Sequence, residues 1–348
     1  MIIKKICRPL ACAAAIAIIT ANAQQVMLFV KSALALCYNN IIPSLFVFMV
    51  FSSYLGQSRF TGILSLPLMW YSYLMKIKDK RFSAYILLSF IGGFAVGAGF
   101  LEEMKQSGYE NNCLKSISPV MINNSFSFCV FAVGIGLLDN YYLGCMLFAA
   151  LASASLITAF ILSFIFKYNI VAQQNSSEQS GKSFVDCVNN SVKSILSICG
   201  YVIIFYVICK VLKLYISSEI PINILSALLE VTAGCTEIAR NTGKNPFFIC
   251  IVLSLMPVST LCQVYHFTHS TDIIRTLMIS RVIHTPVSLM IFTMLCNLFP
   301  VAAGALSPES MAVKYFYNSF EISAVLFMLI LSFTVISDRN RLFTKPEK

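Results

Sequence analysis

The chain has 348 residues, of which 58% are hydrophobic and 11% charged. Its mean hydropathy is +0.79. A soluble domain carries about 25% charged residues, so this composition excludes an ordinary soluble enzyme and points to a polytopic membrane protein. The net charge of +10 does not indicate nucleic acid. The bases fall in short groups between apolar runs, as topology signals do, and form no phosphate-binding stripe. The lipid bilayer is the expected partner.

The first stretch, MIIKKICRPLACAAAIAIITANAQQ, has a basic start, an apolar core and small residues at Ala21 and Ala23. Both a cleavable signal peptide and a first transmembrane helix have this form. A retained helix is expected, because the rest of the chain is also apolar. A span needs about 20 apolar residues. Candidate spans lie near 9–30, 60–75, 82–101, 117–138, 142–167, 184–212, 221–239, 247–265, 277–300 and 319–337. The run 41–57 is short and opens at Pro43, so it reads as a re-entrant or broken element.

Charge bias agrees with that reading. Lys4/Lys5/Arg8, the loop KIKDKR at 76–81 and the tail DRNRLFTKPEK at 338–348 are strongly basic. If all three are cytoplasmic, an even number of spans separates each pair. The expected organisation is a first membrane half over 1–168, a polar linker at 169–183, a second half over 184–338 and a basic tail at 339–348. The fold class expected is all-α, a transmembrane bundle of about 9–10 spans with two related halves.

The halves resemble each other in order. An apolar helix is followed by a small-residue segment and then by a polar break. Aligning Gly97 with Gly234 matches Leu88 to Leu225 and Ser89 to Ser226. Many secondary transporters are built from such repeats, with interrupted helices meeting at the midplane.

Several segments carry chemistry. GGFAVGAG at 92–99 contains a G-x-x-x-G, which reads as close helix packing or as a break lining a cavity. Asn123, Asn124, Ser125 and Ser127 place polar groups in an apolar run. They need partners, either neighbouring helices or a ligand. Pro257, Ser259, Thr260 and Gln263 repeat that pattern in the second half. Cys262, His266 and His269 share one helical face, a spacing that a metal could use, although interfacial histidines are the simpler account. No metal, cofactor or catalytic residue is assigned. The thirteen cysteines form no C-x-x-C pair and read as small hydrophobes.

Glu230, inside LLEVTAGCTEIAR, carries a charge into an apolar run. Such a residue is costly in lipid. It reads as a helix end, as the partner of a buried cation such as Arg281, or as part of a solute or proton site. The candidate solute-binding set is Asn123, Asn124, Ser125, Glu230, Thr232, Ser259 and Gln263.

IIPSLFVFMV, SFIGGFAVGAG, INNSFSF, LLEVTAG and the region from Gln263 to Arg281 occur in an order that resembles the sporulation integral membrane proteins of the YlbJ type. These belong to the wider group with a nucleoside-recognition, or Gate, domain. The resemblance spans about residues 25–300. It implies a role in endospore formation in the cytoplasmic membrane of a Gram-positive bacterium, whether of forespore or mother cell. The Gate label implies a solute pathway. The chain departs from the family pattern where Ala95 replaces a proline and where Phe126 and Ser127 replace a Gly-Pro. The function expected is transport or gating of a small polar solute or ion, without enzymatic activity. The alternative is a scaffold that gathers membrane partners for spore-envelope assembly.

Overall fold

The structure is a computed structural model that describes residues 13, 16–58, 60–168, 183–216 and 218–300. The N-terminal basic group, the linker 169–182, the candidate span 319–337 and the tail lie outside the described residues. Among those described, the chain is helical and has no strand. It is an all-α polytopic bundle. Five helices are long and apolar enough to cross a membrane.

The first is Ala23–Gln57, formed by α1 (Ala23–Leu36) and α2 (Ile42–Gln57) joined through a π-helical turn at Cys37–Ile41. The run 41–57 is therefore not re-entrant. Pro43 lies inside this continuous helix, just after the π-helical turn at Cys37–Ile41, and that wider turn is where the ladder accommodates its missing N–H. The run 60–75 is not a span either. It folds as short pieces, α3 (Thr61–Leu64), a 3-10 turn at Leu66–Leu68 and α4 (Met69–Leu74).

Two further apolar runs are helical hairpins. In the first, α5 (Lys80–Gly92) turns at Gly93 into α6 (Phe94–Gln106). The Tyr85 and Phe100 rings stack at 4.2 Å, and the Tyr85 hydroxyl donates to Glu103 at 3.2 Å, so the two helices run side by side. In the second, α10 (Glu219–Leu229) turns at Glu230 into α11 (Val231–Asn241). Asn241 donates to Asn223 at 2.7 Å across its base. The candidate spans 82–101 and 221–239 are thus re-entrant elements.

Each hairpin is followed by a broken helix. The first is α7 (Asn111–Met121), an extended break after Met121, and a π-helix at Phe128–Ile135. The second is α12 (Pro246–Ser254), a break at Leu255–Pro257, and α13 (Val258–Thr268). Among the described residues there are also three unbroken helices, α8 (Tyr141–Ile165), α9 (Phe184–Tyr215) and α14 (Thr271–Leu298). The order helix, hairpin, broken helix, helix occurs twice, as α1/α2 to α8 and as α9 to α14.

Contacts between chain-distant ends fix the directions. On one face, Gln57 donates to Glu103, Asn112 donates to the Lys167 carbonyl, and Lys115 pairs with Asp272 at 3.2 Å. On the opposite face, Asn22 donates to Tyr215 and Lys244 pairs with Asp139. The base of the first hairpin lies on the former face and the base of the second on the latter. The two halves therefore run through the bundle in opposite senses, which is an inverted repeat.

Candidate functional site

Among the described residues, the two hairpin tips and the two helix breaks meet. Gly93 has φ +82°, a conformation that favours glycine, and it starts α6. Glu230 is extended and caps α11, its Oε2 accepting from the Ala233 amide at 2.6 Å. The alignment that matches Gly97 to Gly234 also matches Gly93 to Glu230, so the two tips are equivalent positions. Asn124 of the first broken helix donates to the Leu253 carbonyl of the second at 2.8 Å. The Asn123 side chain donates to the Leu151 carbonyl of α8 at 3.3 Å.

A cavity of about 40 Å³ lies between these breaks. Gly93, Asn124, Ser125, Glu230, Thr232, Thr260 and Gln263 supply its polar wall. One water requires roughly 10–15 Å³, so this conformation holds a few waters or one small ion. Glu230 is 1% exposed, and its Oε1 has no hydrogen-bond partner among the described residues. The Oε1 of Gln263 is also buried without one. Two acceptor oxygens are thus left for a donor or a cation, because a buried acceptor without a partner is costly. Beyond Met49 and Ala95 lies a wider vestibule of about 300 Å³ that reaches Gln57, Glu103, Asn190 and Lys193.

Of the seven residues singled out from the sequence, Asn124, Ser125, Glu230, Thr232 and Gln263 line this cavity. Ser259 does not; it accepts from Gln263 Nε2 at 3.0 Å and so orients that side chain. Asn123 lines a smaller neighbouring chamber with Asn124, Thr260 and Arg281. Gly93 and Thr260 also line the cavity. The sequence offers a cavity-lining break at 92–99 and a polar break at 257–263, but neither residue is in the candidate solute-binding set. The repeat alignment puts Gly93 opposite Glu230, and Thr260 lies one turn from Gln263 on the same helical face.

Two alternatives are corrected. Arg281 does not pair with Glu230. It donates to the Leu277 and Ser254 carbonyls, each at 3.3 Å, and forms no ion pair among the described residues. Cys262, His266 and His269 do not form a metal site either, and no group of three potential ligands occurs among the described residues. His269 ends α13 in the left-handed region with φ 46°.

No protein-family model, curated protein or solved structure matches the chain. The similarity to the YlbJ-type proteins rests on the order of the motifs alone.

Proposed function

We propose that this protein moves or gates a small polar solute or ion across the bacterial cytoplasmic membrane. The motif order suggests endospore formation as its setting. One observation carries the reading. Two hairpin tips, entering from opposite faces, and two helix breaks close on a single polar cavity. Non-helical backbone at membrane depth is tolerated where it is buried in protein or lines a wet cavity. Inverted repeats with such breaks are the architecture of alternating access, in which one repeat moves against the other around a central site. The small cavity then corresponds to a closed conformation, and the vestibule to the side from which the site opens.

The test is solute binding to the purified full-length protein, by thermal shift across nucleosides, amino acids, dicarboxylates and alkali cations. A ligand at a hundredfold excess over its Kd stabilises the folded state by about 2.7 kcal/mol. A shift with one class that is lost in Glu230→Gln is the expected result. A protein that binds no class, and whose Glu230→Gln variant loses only stability, has a packing role at this position, and the transport reading fails.

A further inference from the structure

The smaller chamber holds a buried charge that no acid among the described residues neutralises. Arg281 is 8% exposed and sits in the middle of α14. Its Nε and Nη1 donate to carbonyls, and its Nη2 has no partner. A buried cation without a counter-charge is strongly destabilising. The same chamber receives the starts of three helices: Phe94 of α6, Val231 of α11 and Pro257, which caps α13. These helices have 13, 11 and 11 residues. Helix N-termini present free amides and partial positive charge, a ready site for an anionic group. Only one of them, that of α11, is capped by a carboxylate, the Glu230 Oε2.

The central cavity has the opposite need. It offers the free Oε1 of Glu230 and the free Oε1 of Gln263, both acceptors. Phe94, Asn124, Val231 and Thr260 belong to the walls of both chambers, so the two spaces are adjacent. A simple cation satisfies the acceptors and leaves Arg281 unmatched. A simple anion does the reverse. We propose that the solute is a small amino-acid-like zwitterion, its carboxylate at Arg281 and the three helix starts, its ammonium at Glu230 and Gln263. This rests on the solute-pathway reading above and narrows it to a substrate class. At about 40 and 10 Å³ the two spaces are too small for such a molecule as they stand, so it enters only as a hairpin tip moves and must itself be compact.

The experiment titrates the full-length protein in detergent with alanine, propionate, ethylammonium, uridine and sodium, reading both heat and thermal midpoint. Alanine is expected to bind more tightly than propionate or ethylammonium. Arg281→Gln is expected to weaken alanine at least about thirtyfold, the scale for removing one member of a buried charge pair, and to leave ethylammonium binding in place. Ethylammonium or uridine binding as tightly as alanine overturns the proposal while leaving a solute pathway intact. So does an Arg281→Gln protein that keeps its alanine affinity. If that variant does not fold, the wild-type ranking and Arg281→Lys decide. Binding of nothing at all overturns this proposal together with the transport reading.

Discussion

Asp79 is 3% exposed in the loop before α5, and it gathers three donors. The Arg81 amide and guanidinium both reach it at 2.9 Å, and the Tyr109 hydroxyl at 2.8 Å. Burial is the largest influence on its carboxyl and pushes the pKa up, but the bonds from Arg81 and Tyr109 together outweigh it and hold the group below the usual carboxylate range. Burial, and then the Asp79 carboxylate, push the Tyr109 hydroxyl up. A depressed carboxyl adds stability that is complete above its unfolded pKa of about 3.9 and is lost as pH falls through the lower folded value. Thermal midpoints in detergent should therefore fall with acid below about pH 4. Asp79→Asn should cost about 1–3 kcal/mol near neutrality, because it leaves buried donors poorly matched. It should also flatten that acid limb. An unchanged acid limb in Asp79→Asn would assign the loss to other carboxylates.

Among the elements, the hairpins show where backbone contact sets the sequence. A Cβ at Gly97 would stand 1.7 Å from the Met121 carbonyl oxygen, and one at Gly234 would stand 2.6 Å from the Ala227 Cα. Gly97 thus lets the first hairpin lie on the end of α7, and Gly234 lets α11 lie on α10. Gly99, two residues along the same helix, faces open space. Overpacking costs about 1–3 kcal/mol where neighbours can yield, and a backbone carbonyl yields little. Gly97→Ala should therefore lower the thermal midpoint sharply or prevent folding. Gly99→Ala should keep or raise it, since alanine favours a helix by up to about 1 kcal/mol. Equal midpoints for the two variants would refute the close approach at Gly97.

These glycines were legible in the sequence as an alignment, and so were most of the polar breaks. The hairpins were not. Each of α5 and α6 has 13 residues, so together they present an apolar run as long as a span. Hydropathy measures how much chain prefers lipid and not whether it turns back. Pro43 misled for a related reason. A proline signals a break inside a helix, but here the helix continues past it through a π-helical turn just before Pro43, which hydropathy and the proline alone do not show. Arg281 was visible as a charge in an apolar run. That its guanidinium donates to the Leu277 and Ser254 carbonyls instead of pairing with Glu230, with Nη2 left without a partner among the described residues, depends on packing across half the chain.

For the whole molecule, the inverted repeat turns charge bias into a test of orientation. The face holding the base of the first hairpin carries Lys76, Lys78, Arg81, Lys105, Lys115, Lys167 and Arg275 near helix ends. The other face carries Lys210, Lys213, Arg240 and Lys244. There, Glu237 is shared by Lys210 and Lys213, and Asp139 takes Lys244. An excess of bases marks the cytoplasmic side, so the first hairpin should enter from the cytoplasm and the second from outside. In a background without native cysteines, Lys78→Cys and Gln106→Cys should resist a membrane-impermeant maleimide in intact cells and react once the membrane is opened. Asp139→Cys and Lys244→Cys should react in intact cells. Labelling of all four from the same side would refute the opposed hairpins. A clean reversal would keep the inverted repeat and place the vestibule, with Glu103 and Lys193, on the outside. The orientation matters for the proposed function, because the vestibule adjoins the cavity at Met49 and Ala95 on the face that holds Gln57 and Glu103. On the proposed transport reading, with the bases inside, this conformation leans toward the cytoplasm, and movement of the second hairpin, whose tip carries Glu230, should open the outward path.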